Sequence, residues 1–408
     1  MRVLLAHKYF YNLGGAEVFV FETAKALKSA GHEVAYFSTK SKENHASEYE
    51  QFFVQNLEFR NKSFIQNLFH FKNILHNSEA ETNFEKLIDE FKPDIINVFG
   101  FYGHLSPSII LAARKRNIKI VFTCNDYKHI CTNYKLYHHG KICNDCKLGG
   151  PKMAAINKCC HNSLSLSVAS SIEAYYYQLK NIYDVSTSHF NFASQFMADT
   201  TMSFWPDRNL KYSIVRNPFD LEKYANVQLK NGSYFLYFGR LVEEKGVDQL
   251  IKAFQKLGPP YSLKIVGSGE QEAELKNYCS QNSLSNIEFL GPLWGEKLNP
   301  VVEEAIAVCV PSRWHENYPY VICEAFAHRK AVLGSQRGGI PEMVTQGITG
   351  FLYDPESVDS ICGALREAQN SIGSLEQMGK NGFSWLKENL NYTKFTRDLI
   401  QSYSEALS

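Results

Sequence analysis

The sequence predicts an α/β protein with two domains, each built on a parallel sheet that helices cover on both faces. Short β-branched runs alternate with amphipathic segments, this alternation occurs twice along the chain, and glycine-containing turns follow several of the runs. With 408 residues, 44% of them hydrophobic and 21% charged, the chain can build two cores of ordinary size.

The first half opens as a Rossmann-like unit. Arg2–His7 is predicted to be a strand, and after it come the turn Gly14-Gly15, a helix over 16–30 and a strand over 34–39. Two more strands, over 95–99 and 119–123, flank a helix over 109–116.

The second half repeats this scheme more regularly. Strands are predicted over 234–238, 263–266, 287–290 and 307–311, with helices over 246–257 and 270–282 between them. The domain boundary is placed near residue 216, because Pro218 stops a regular element and the neighbouring Asn217 and Asp220 favour turns.

The predicted domains are therefore an N-terminal one over 1–215 and a C-terminal one over 216–385. A last segment, 386–408, has aromatic and aliphatic residues at helical spacing. We expect it to be a helix that either closes the second domain or crosses back to the first.

Composition excludes some functions. The net charge of +1 does not indicate nucleic-acid binding, and no apolar run approaches the roughly 20 residues that span a bilayer. The N-terminal apolar run ends too soon, at His7 and Lys8, for a signal peptide. We expect a cytoplasmic protein whose ten cysteines are mostly reduced.

The most informative stretch is 314–341, in which Glu316 and Glu324 stand eight positions apart. Pro319 places Glu316 on a loop and Glu324 on the first turns of a helix. One acidic group and a set of unpaired backbone N–H donors would then meet one ligand with hydroxyls and phosphates. A sugar nucleotide has that chemistry.

Two cations follow a predicted strand at the edge where open α/β sheets bind ligands. Arg240 and Lys245 could neutralise a diphosphate leaving group as its charge develops. The alternative is a solvated surface turn, Glu243-Glu244-Lys245, without a ligand.

Taken together, the motifs resemble the retaining glycosyltransferases of family four, also described as glycosyl transferases group 1. The resemblance spans nearly the whole chain and keeps the motif order. It is carried by Gly14-Gly15-Ala16-Glu17, the segment 238–246, Val266-Gly267-Ser268-Gly269, the Glu316…Glu324 pair, and the turns at 338–342 and 347–352. It implies the GT-B architecture, in which two Rossmann-like domains face a cleft and the C-terminal domain holds most of the donor.

The resemblance also implies roles. Arg240 and Lys245 would hold the diphosphate, Glu316 would lie near the transferred sugar, and Glu324 would bind the ribose hydroxyls. The remaining donor contacts would come from Gly14, Gly15, Gly239, Gly267, Gly269, Asn317 and Tyr318. The implied reaction moves a sugar, with retention, from a UDP- or GDP-sugar to a glycan or lipid-linked acceptor in bacterial surface polysaccharide assembly. No Asp-x-Asp pair occurs, so no catalytic metal is expected.

The chain departs from the family at one catalytic position. Asn125 stands where family members commonly carry a histidine before an aspartate, here Asp126. Asparagine cannot act as a general base, although it can position a sugar hydroxyl. Three other hypotheses stay open: a non-catalytic sugar-nucleotide or glycan-binding partner, an epimerase, and, least favoured, a NAD-dependent enzyme.

A cysteine-rich insertion is predicted over about 124–162. Cys131, Cys143, Cys146 and Cys159 have spacing that suits a tetrahedral structural zinc, and a branch of the family carries similar insertions. The alternatives are four reduced thiols or disulfides, and Cys160 is an ambiguous neighbour of Cys159.

The segment 52–76 mixes aromatic and aliphatic residues with Arg60, Lys62 and Lys72. One interpretation is weak contact with the inner face of the cytoplasmic membrane, where a lipid-linked acceptor would lie. The other is a helix packed on the first domain's sheet.

Overall fold

The computed structural model describes residues 1–11, 13–56, 71–228, 230 and 232–408. Packing divides the chain into two compact units, and neither is one continuous segment. The first contains Met1–Lys135, Asn144–Pro218 and Tyr392–Ser408, and the second contains Leu136–Cys143 and Phe219–Asn391.

The first unit is built on a six-stranded parallel sheet in the order β2-β1-β3-β4-β7-β8. Its strands are β1 Arg2–His7, β2 Glu33–Phe37, β3 Ile95–Gly100, β4 Lys119–Cys124, β7 Ser188–Phe192 and β8 Tyr212–Ile214. Its described helices are α1 Gly15–Ser29, α2 Ser78–Phe91, α3 Ser108–Lys115, α4 Asp145–Gly149, α5 Lys152–Ile156, α6 Leu164–Leu179, α7 Gln195–Phe204 and, at the end of the chain, α14 Tyr392–Leu407.

The second unit has a six-stranded parallel sheet in the order β11-β10-β9-β12-β13-β14. Its strands are β9 Tyr234–Phe238, β10 Leu263–Val266, β11 Ile287–Gly291, β12 Ala305–Val310, β13 Ala331–Ser335 and β14 Gly350–Tyr353. Its helices are α8 Val247–Leu257, α9 Glu272–Gln281, α10 Asn299–Glu303, α11 Tyr320–Ala327, α12 Val358–Asn370 and α13 Ile372–Asn389.

A short antiparallel hairpin, β5 Tyr137–His138 and β6 Lys141–Ile142, belongs to the second unit although it interrupts the first in sequence. Single short turns of 3-10 helix occur at Glu50–Phe52, Leu221–Tyr224, Glu243–Lys245, Gly295–Lys297 and Ile340–Glu342.

The predicted fold class is confirmed, since both sheets are parallel and helices connect many of their successive strands, as in βαβ units. Both sheets have fully buried strands: every residue of β3, β7, β9 and β13 is buried. The second core packs α8 and α12 onto the sheet, with Leu250, Phe254 and Leu365 fully buried.

The predicted terminal segment, 386–408, contains the last turn of α13 and the whole of α14. α13 ends at Asn389 and α14 begins at Tyr392, and the Asn391 side-chain amide donates to the Lys387 carbonyl at this break. The apolar face of α14 joins the first unit's core through Phe395, Leu399 and Tyr403.

Candidate active site

The strand order of the second sheet reverses between β9 and β12. Order 3-2-1-4-5-6, counted within this unit, is the doubly wound arrangement in which ligands bind beyond the carboxyl ends of the strands at the reversal. The loops that leave β9 and β12 carry Arg240, Lys245, Glu316, Asn317 and Tyr318. Topology alone therefore brings these predicted residues to one edge of one sheet.

Lys245 and Glu316 form a direct ion pair at this edge. The Lys245 ammonium lies 2.5 Å from Glu316 Oε1, and the two side chains are 19% and 8% exposed. The Ser312 hydroxyl donates to the same carboxylate oxygen at 2.7 Å, and the ammonium lies 5.5 Å from the centre of the Trp314 ring. The pair is thus held on two sides and keeps only a small exposed fraction.

The charge state of Glu316 follows from these neighbours. Burial acts to raise its pKa, but the attraction of Lys245 and the hydrogen bonds from Lys245 and Ser312 outweigh burial and leave the pKa below its ordinary value. Glu316 is therefore an ionised, oriented acceptor at neutral pH.

Two glycines allow the loops to approach each other this closely. Gly246 has φ +69°, and a Cβ there would lie 2.2 Å from the Pro311 carbonyl oxygen. Gly338 has φ +58°, and a Cβ there would lie 2.1 Å from the Glu316 carbonyl oxygen, which also accepts a 2.7 Å bond from Gly339 N–H. A side chain at either position would displace the ion pair.

Arg240 lies on the loop after β9, as Lys245 does, and its side chain is exposed. The Tyr237 hydroxyl donates to the Arg240 carbonyl at 2.7 Å, and the charges of Glu316 and Arg240 both act on the Tyr237 phenol, whose pKa is raised mainly by burial. Within the described residues, the Arg240 guanidinium forms no ion pair, so its charge remains available to an anion.

Gly239, Gly267 and Gly269 bring two loops into backbone contact. A Cβ on Gly267 would lie 1.8 Å from the Gly239 carbonyl oxygen, and one on Gly269 would lie 2.3 Å from the Leu241 carbonyl oxygen. Leu241 N–H donates to the Ser268 carbonyl at 2.9 Å. These glycines have a packing role without any ligand, and their predicted role in donor binding stays a prediction.

Helix α11 begins directly after this edge, and Pro319 precedes its first residue without a side-chain cap. Glu324 is its fifth residue and so lies on the first turns of the helix, as predicted. Burial raises the pKa of the Glu324 carboxyl to about 7, and its side chain forms no hydrogen bond within the part of the chain that the structure describes. The charge of Glu324 helps to raise the pKa of the Tyr224 phenol. No described contact joins Glu324 to the Lys245–Glu316 pair.

The hairpin β5–β6 packs on the same two loops. The Arg313 guanidinium, between Ser312 and Trp314, donates to the Gly140 carbonyl at 2.8 Å and forms a forked ion pair with Glu356, with its shortest contact at 2.6 Å. A Cβ on Gly140 would lie 3.1 Å from Glu243 Oε1. The loops that hold Lys245 and Glu316 are thus both covered by this hairpin, which sequence reasoning did not predict.

In the first unit, Gly14 precedes α1 and Gly15 is its first residue, and both are exposed. The turn is fixed by a pair that sequence reasoning missed: His7 Nε2, at the end of β1, lies 2.9 Å from Glu17 Oε1 in the first turn of α1. Burial lowers the pKa of His7. The signal in the sequence was a histidine ending the first strand and a glutamate two residues after the glycine pair.

Asn125 follows β4 and is half-buried. Its side-chain nitrogen is buried and has no hydrogen-bond partner among the described residues. The carboxyl of Asp126 accepts a 2.9 Å bond from Lys128 N–H, and burial raises its pKa. His129 bonds to Thr201 Oγ1 at 2.7 Å and contacts Trp205, so it is a core histidine.

The four cysteines of the predicted zinc site divide between the units. Cys131, Cys146 and Cys159 lie in the first unit, and Cys143 lies in the hairpin segment of the second. Cys131 and Cys146 line one cavity of the first unit, whereas the neighbouring Cys160 thiol donates to Ser170 Oγ at 3.2 Å. In the described ranges no group of three or more His, Cys, Asp or Glu residues could hold a metal ion, and zinc stays a prediction.

The segment proposed to meet a membrane, 52–76, lies largely outside the described residues, which omit 57–70. Over the rest of the chain, none of the helices combines the length and the apolar character needed to cross a bilayer.

Comparison with known proteins agrees with this geometry. Residues 220–385 match the family described as Glycosyl transferases group 1, and residues 13–146 match Glycosyltransferase Family 4. An uncharacterized 42.6 kDa protein in the cps region of Klebsiella pneumoniae is 25% identical over 379 residues, which cover 88% of this chain and 92% of that protein. The lipopolysaccharide 1,2-N-acetylglucosaminetransferase of Salmonella typhimurium is 32% identical over 167 residues, 38% of this chain and 43% of that enzyme.

Solved structures show the same fold at low identity. Sucrose-phosphate synthase from Thermosynechococcus elongatus is 17% identical, with a TM-score of 0.70 over 99% of this chain and 98% of that one. Anabaena HepE, solved in complex with UDP-glucose, is also 17% identical, with a TM-score of 0.64 over 99% of each chain.

The chain therefore contains a Glycosyltransferase Family 4 domain over residues 13–146 and a Glycosyl transferases group 1 domain over residues 220–385.

Proposed function

We propose that this protein is a retaining hexosyltransferase that moves a sugar from a UDP- or GDP-sugar to a glycan or lipid-linked glycan. The observation that carries the proposal is the largely buried Lys245–Glu316 pair at the reversal of the second sheet, with the exposed Arg240 on the same loop as Lys245. The proposed location is the cytoplasm.

The two cations suit a diphosphate leaving group. Bond cleavage at the sugar leaves negative charge on the diphosphate, and a fixed ammonium and guanidinium stabilise that charge without reorganising. The forked guanidinium of Arg240 can hold two phosphate oxygens, whereas Lys245 acts as a point charge that Glu316 and Ser312 keep in place. No metal is required by this arrangement.

The two carboxylates would recognise hydroxyls. Glu316 is ionised and already oriented, and Oε1 accepts from both Lys245 and Ser312, which leaves Oε2 for a sugar hydroxyl. Glu324 has a half-buried carboxyl without a hydrogen-bonding partner in the described chain, and a ribose diol would supply two donors.

Retention is proposed from the family resemblance. In this scheme the departing phosphate oxygen takes the proton of the acceptor hydroxyl as the new glycosidic bond forms on the same face. That step needs no histidine. The unpartnered side-chain nitrogen of Asn125 could donate to a hydroxyl oxygen and orient it.

The relatives support the choice of substrates. One full-length relative lies in a cps region, one partial relative is named as a lipopolysaccharide transferase, and one structural neighbour was solved with UDP-glucose. We therefore propose surface polysaccharide assembly as the setting.

A thermal-shift panel of UDP-, GDP-, ADP- and dTDP-sugars tests the donor. We expect one nucleotide to raise Tm, because a ligand that binds only the folded state stabilises it by mass action. Lys245→Ala should then lower kcat by about 10²–10³-fold, as expected for a lost transition-state charge contact. The control is Lys252→Ala on α8, whose lysine forms a salt bridge of 3.5 Å with Asp248 on the same helix. No shift with any nucleotide would contradict the proposal.

A second candidate is a sugar-nucleotide-binding partner without activity, which Asn125 at the usual histidine position favours. It predicts the same thermal shift with neither transfer nor hydrolysis of the bound donor. Measured turnover with a cell-surface glycan extract and the shifted donor separates the two.

A further inference from the structure

Helix α6, Leu164–Leu179, has its polar side chains inside and its apolar side chains outside. Ser167, Ser171, Glu173 and Tyr177 are its buried residues. Leu179 is 82% exposed and Leu164 is 56% exposed. This reverses the usual order, in which the apolar face of a surface helix packs on the core.

The exposed residues form one continuous stripe. At 100° per residue, positions 164, 168, 172, 175 and 179 fall within an arc of about 80° and extend over about 22 Å of helix. The stripe is made of Leu164, Val168, Ile172, Tyr175 and Leu179, all exposed. Leu148 and Ile156, on the neighbouring helices α4 and α5, add two more exposed aliphatic side chains.

Paired polar groups fix the orientation of the helix. The Glu173 carboxylate lies 2.9 Å from the Lys128 ammonium and accepts a 2.8 Å bond from the Tyr177 hydroxyl. Ser171 Oγ donates to the Pro151 carbonyl, and Ser167 Oγ accepts from Cys160 N–H. Rotating the helix to bury the stripe would leave these groups unpaired, so the exposure is built into the fold.

Along positions 146–181 the exposed charged side chains are all lysines. Outside this stretch, Asp207 is a carboxylate that lines a cavity together with Lys147 and Leu148. Lys147, Lys152, Lys158 and Lys180 are exposed on and beside α4, α5 and α6. None of them forms a salt bridge with another described residue. Between positions 146 and 181 the one carboxylate is Glu173, which is buried and paired. Asp145, at the margin, accepts a 2.7 Å hydrogen bond from Asn157.

We propose that this surface, the α6 stripe with its four lysines, docks on an anionic phospholipid bilayer. An apolar stripe flanked by lysines matches the two layers of a bilayer surface, acyl chains below and anionic headgroups above. A second copy of this chain is the poorer match, because a two-fold interface on this stripe would bring the same lysines towards each other. The proposal extends the proposed function, since a lipid-linked acceptor would be met at such a surface.

Vesicle flotation with the full-length protein tests the proposal. We expect the protein to float with vesicles that contain phosphatidylglycerol, to remain behind with phosphatidylcholine alone, and to be released by high salt, which screens the lysines. The double variant Ile172→Gln and Leu179→Gln should weaken binding by about tenfold or more, because glutamine keeps the helix but removes the apolar contact.

The matched control is Ile348→Gln with Ile372→Gln, two exposed isoleucines of the second unit, 53% and 50% exposed. It should float like the wild type. Equal flotation of the stripe variant and the wild type would overturn the proposal. So would lipid-free dimers that the stripe variant converts to monomers, because a second copy would then occupy the stripe.

The thermal shift with nucleotide sugars distinguishes a failure of the docking surface from a failure of the proposed function. If the stripe variant keeps the wild-type shift but loses flotation, the docking surface is established apart from the donor site. If the wild type floats but no nucleotide sugar shifts Tm, the proposed function fails and the docking surface stands.

Discussion

The carboxyl of Glu324 lacks a hydrogen-bonding partner among the described residues. Burial raises its pKa to about 7 from an ordinary value of 4.5, whereas the more deeply buried Glu316 has a lowered pKa because Lys245 and Ser312 bond to it. Two glutamates eight positions apart therefore differ in charge state for a physical reason. Glu316 has hydrogen-bonding partners within the protein, whereas Glu324 has none among the described residues.

Replacing Glu324 by glutamine should stabilise the protein without ligand at pH 8 and should stabilise it far less at pH 5. The folded-state pKa lies above the unfolded one, so ionising Glu324 costs stability as the pH rises from about 4.5 to about 7. At pH 5 the wild-type carboxyl is already protonated in the folded state. Thermal unfolding of both proteins at the two pH values measures this, and Asp248→Asn is a control carboxylate on α8. Equal or lower Tm for the glutamine variant at pH 8 contradicts the prediction.

The same substitution should abolish donor binding, because an amide cannot accept two ribose hydroxyls as a carboxylate does. Titration calorimetry with the nucleotide sugar found in the thermal-shift panel measures the loss. In the wild type, affinity should rise as the pH passes upward through about 7, since the ionised carboxylate is the form that accepts. Affinity that is independent of pH between about 6 and 8 would argue against this role.

The sequence predicts which loops carry the site residues, but not which residues support them. Lys245 and Glu316 were placed after strands, and parallel-sheet topology then brings them together. Their support could not be predicted: Ser312 and Gly338 contact Glu316 through loop conformations that no periodicity encodes.

At the scale of elements, the hairpin β5–β6 is the least expected feature. It covers the loops of the Lys245–Glu316 pair, and Arg313 ties it down through the Gly140 carbonyl and Glu356. The sequence predicted only a cysteine-rich insertion here, because two-residue strands are too short to show alternation.

Arg313→Ala should lower the stability of the protein by about 1–3 kcal/mol, because it removes charge-assisted bonds to two partners. For a domain of this size each kcal/mol corresponds to about 2–4 °C in Tm. The control Arg337→Ala removes a more exposed pair with Asp354, worth about 0–1 kcal/mol. Arg313→Lys should recover only part of the loss, because lysine lacks the fork. Arg313→Ala at the wild-type Tm would contradict this account.

The cysteine insertion makes a further prediction at this scale. If zinc binds Cys131, Cys143, Cys146 and Cys159, purified protein should contain one zinc per chain by elemental analysis. Cys146→Ser should remove it, whereas Cys160→Ser should not, because the Cys160 thiol already bonds to Ser170. Protein without zinc, or equal zinc in both variants, contradicts the site.

Some elements followed the sequence pattern closely and others did not. Arg2–His7, Tyr234–Phe238 and Leu263–Val266 begin and end where predicted, because buried parallel strands are continuous apolar runs bounded by polar turns. Helix α6 was not identified, because its apolar face points away from the core and its buried face is polar.

At the scale of the whole molecule, the last helix completes the first unit. Tyr403 is fully buried, and its hydroxyl accepts a 2.7 Å bond from the Asn97 side chain on β3. Ser402 Oγ donates to Asn191 Oδ1 on β7 at 2.5 Å. These partners were 306 and 211 positions away in sequence, which explains why the sequence left the destination of this helix open.

Tyr403→Ala should destabilise the first unit by about 3–5 kcal/mol, the usual cost of truncating a buried aromatic side chain. Chemical denaturation followed by circular dichroism measures the loss. Gln401→Ala, on the exposed side of the same helix, is the control and should change stability by less than about 0.5 kcal/mol. Similar values for the two variants would show that the helix is not part of this core.

The segment Leu136–Cys143 has a consequence for any chimera made from this chain and a relative. Because these eight residues pack with Phe219–Asn391, joining two parents at the apparent boundary near residue 218 would combine one parent's hairpin with the other parent's second unit. A crossover that keeps the second unit intact has to carry both pieces, although the 75 residues of Asn144–Pro218, which belong to the first unit, separate them in the sequence.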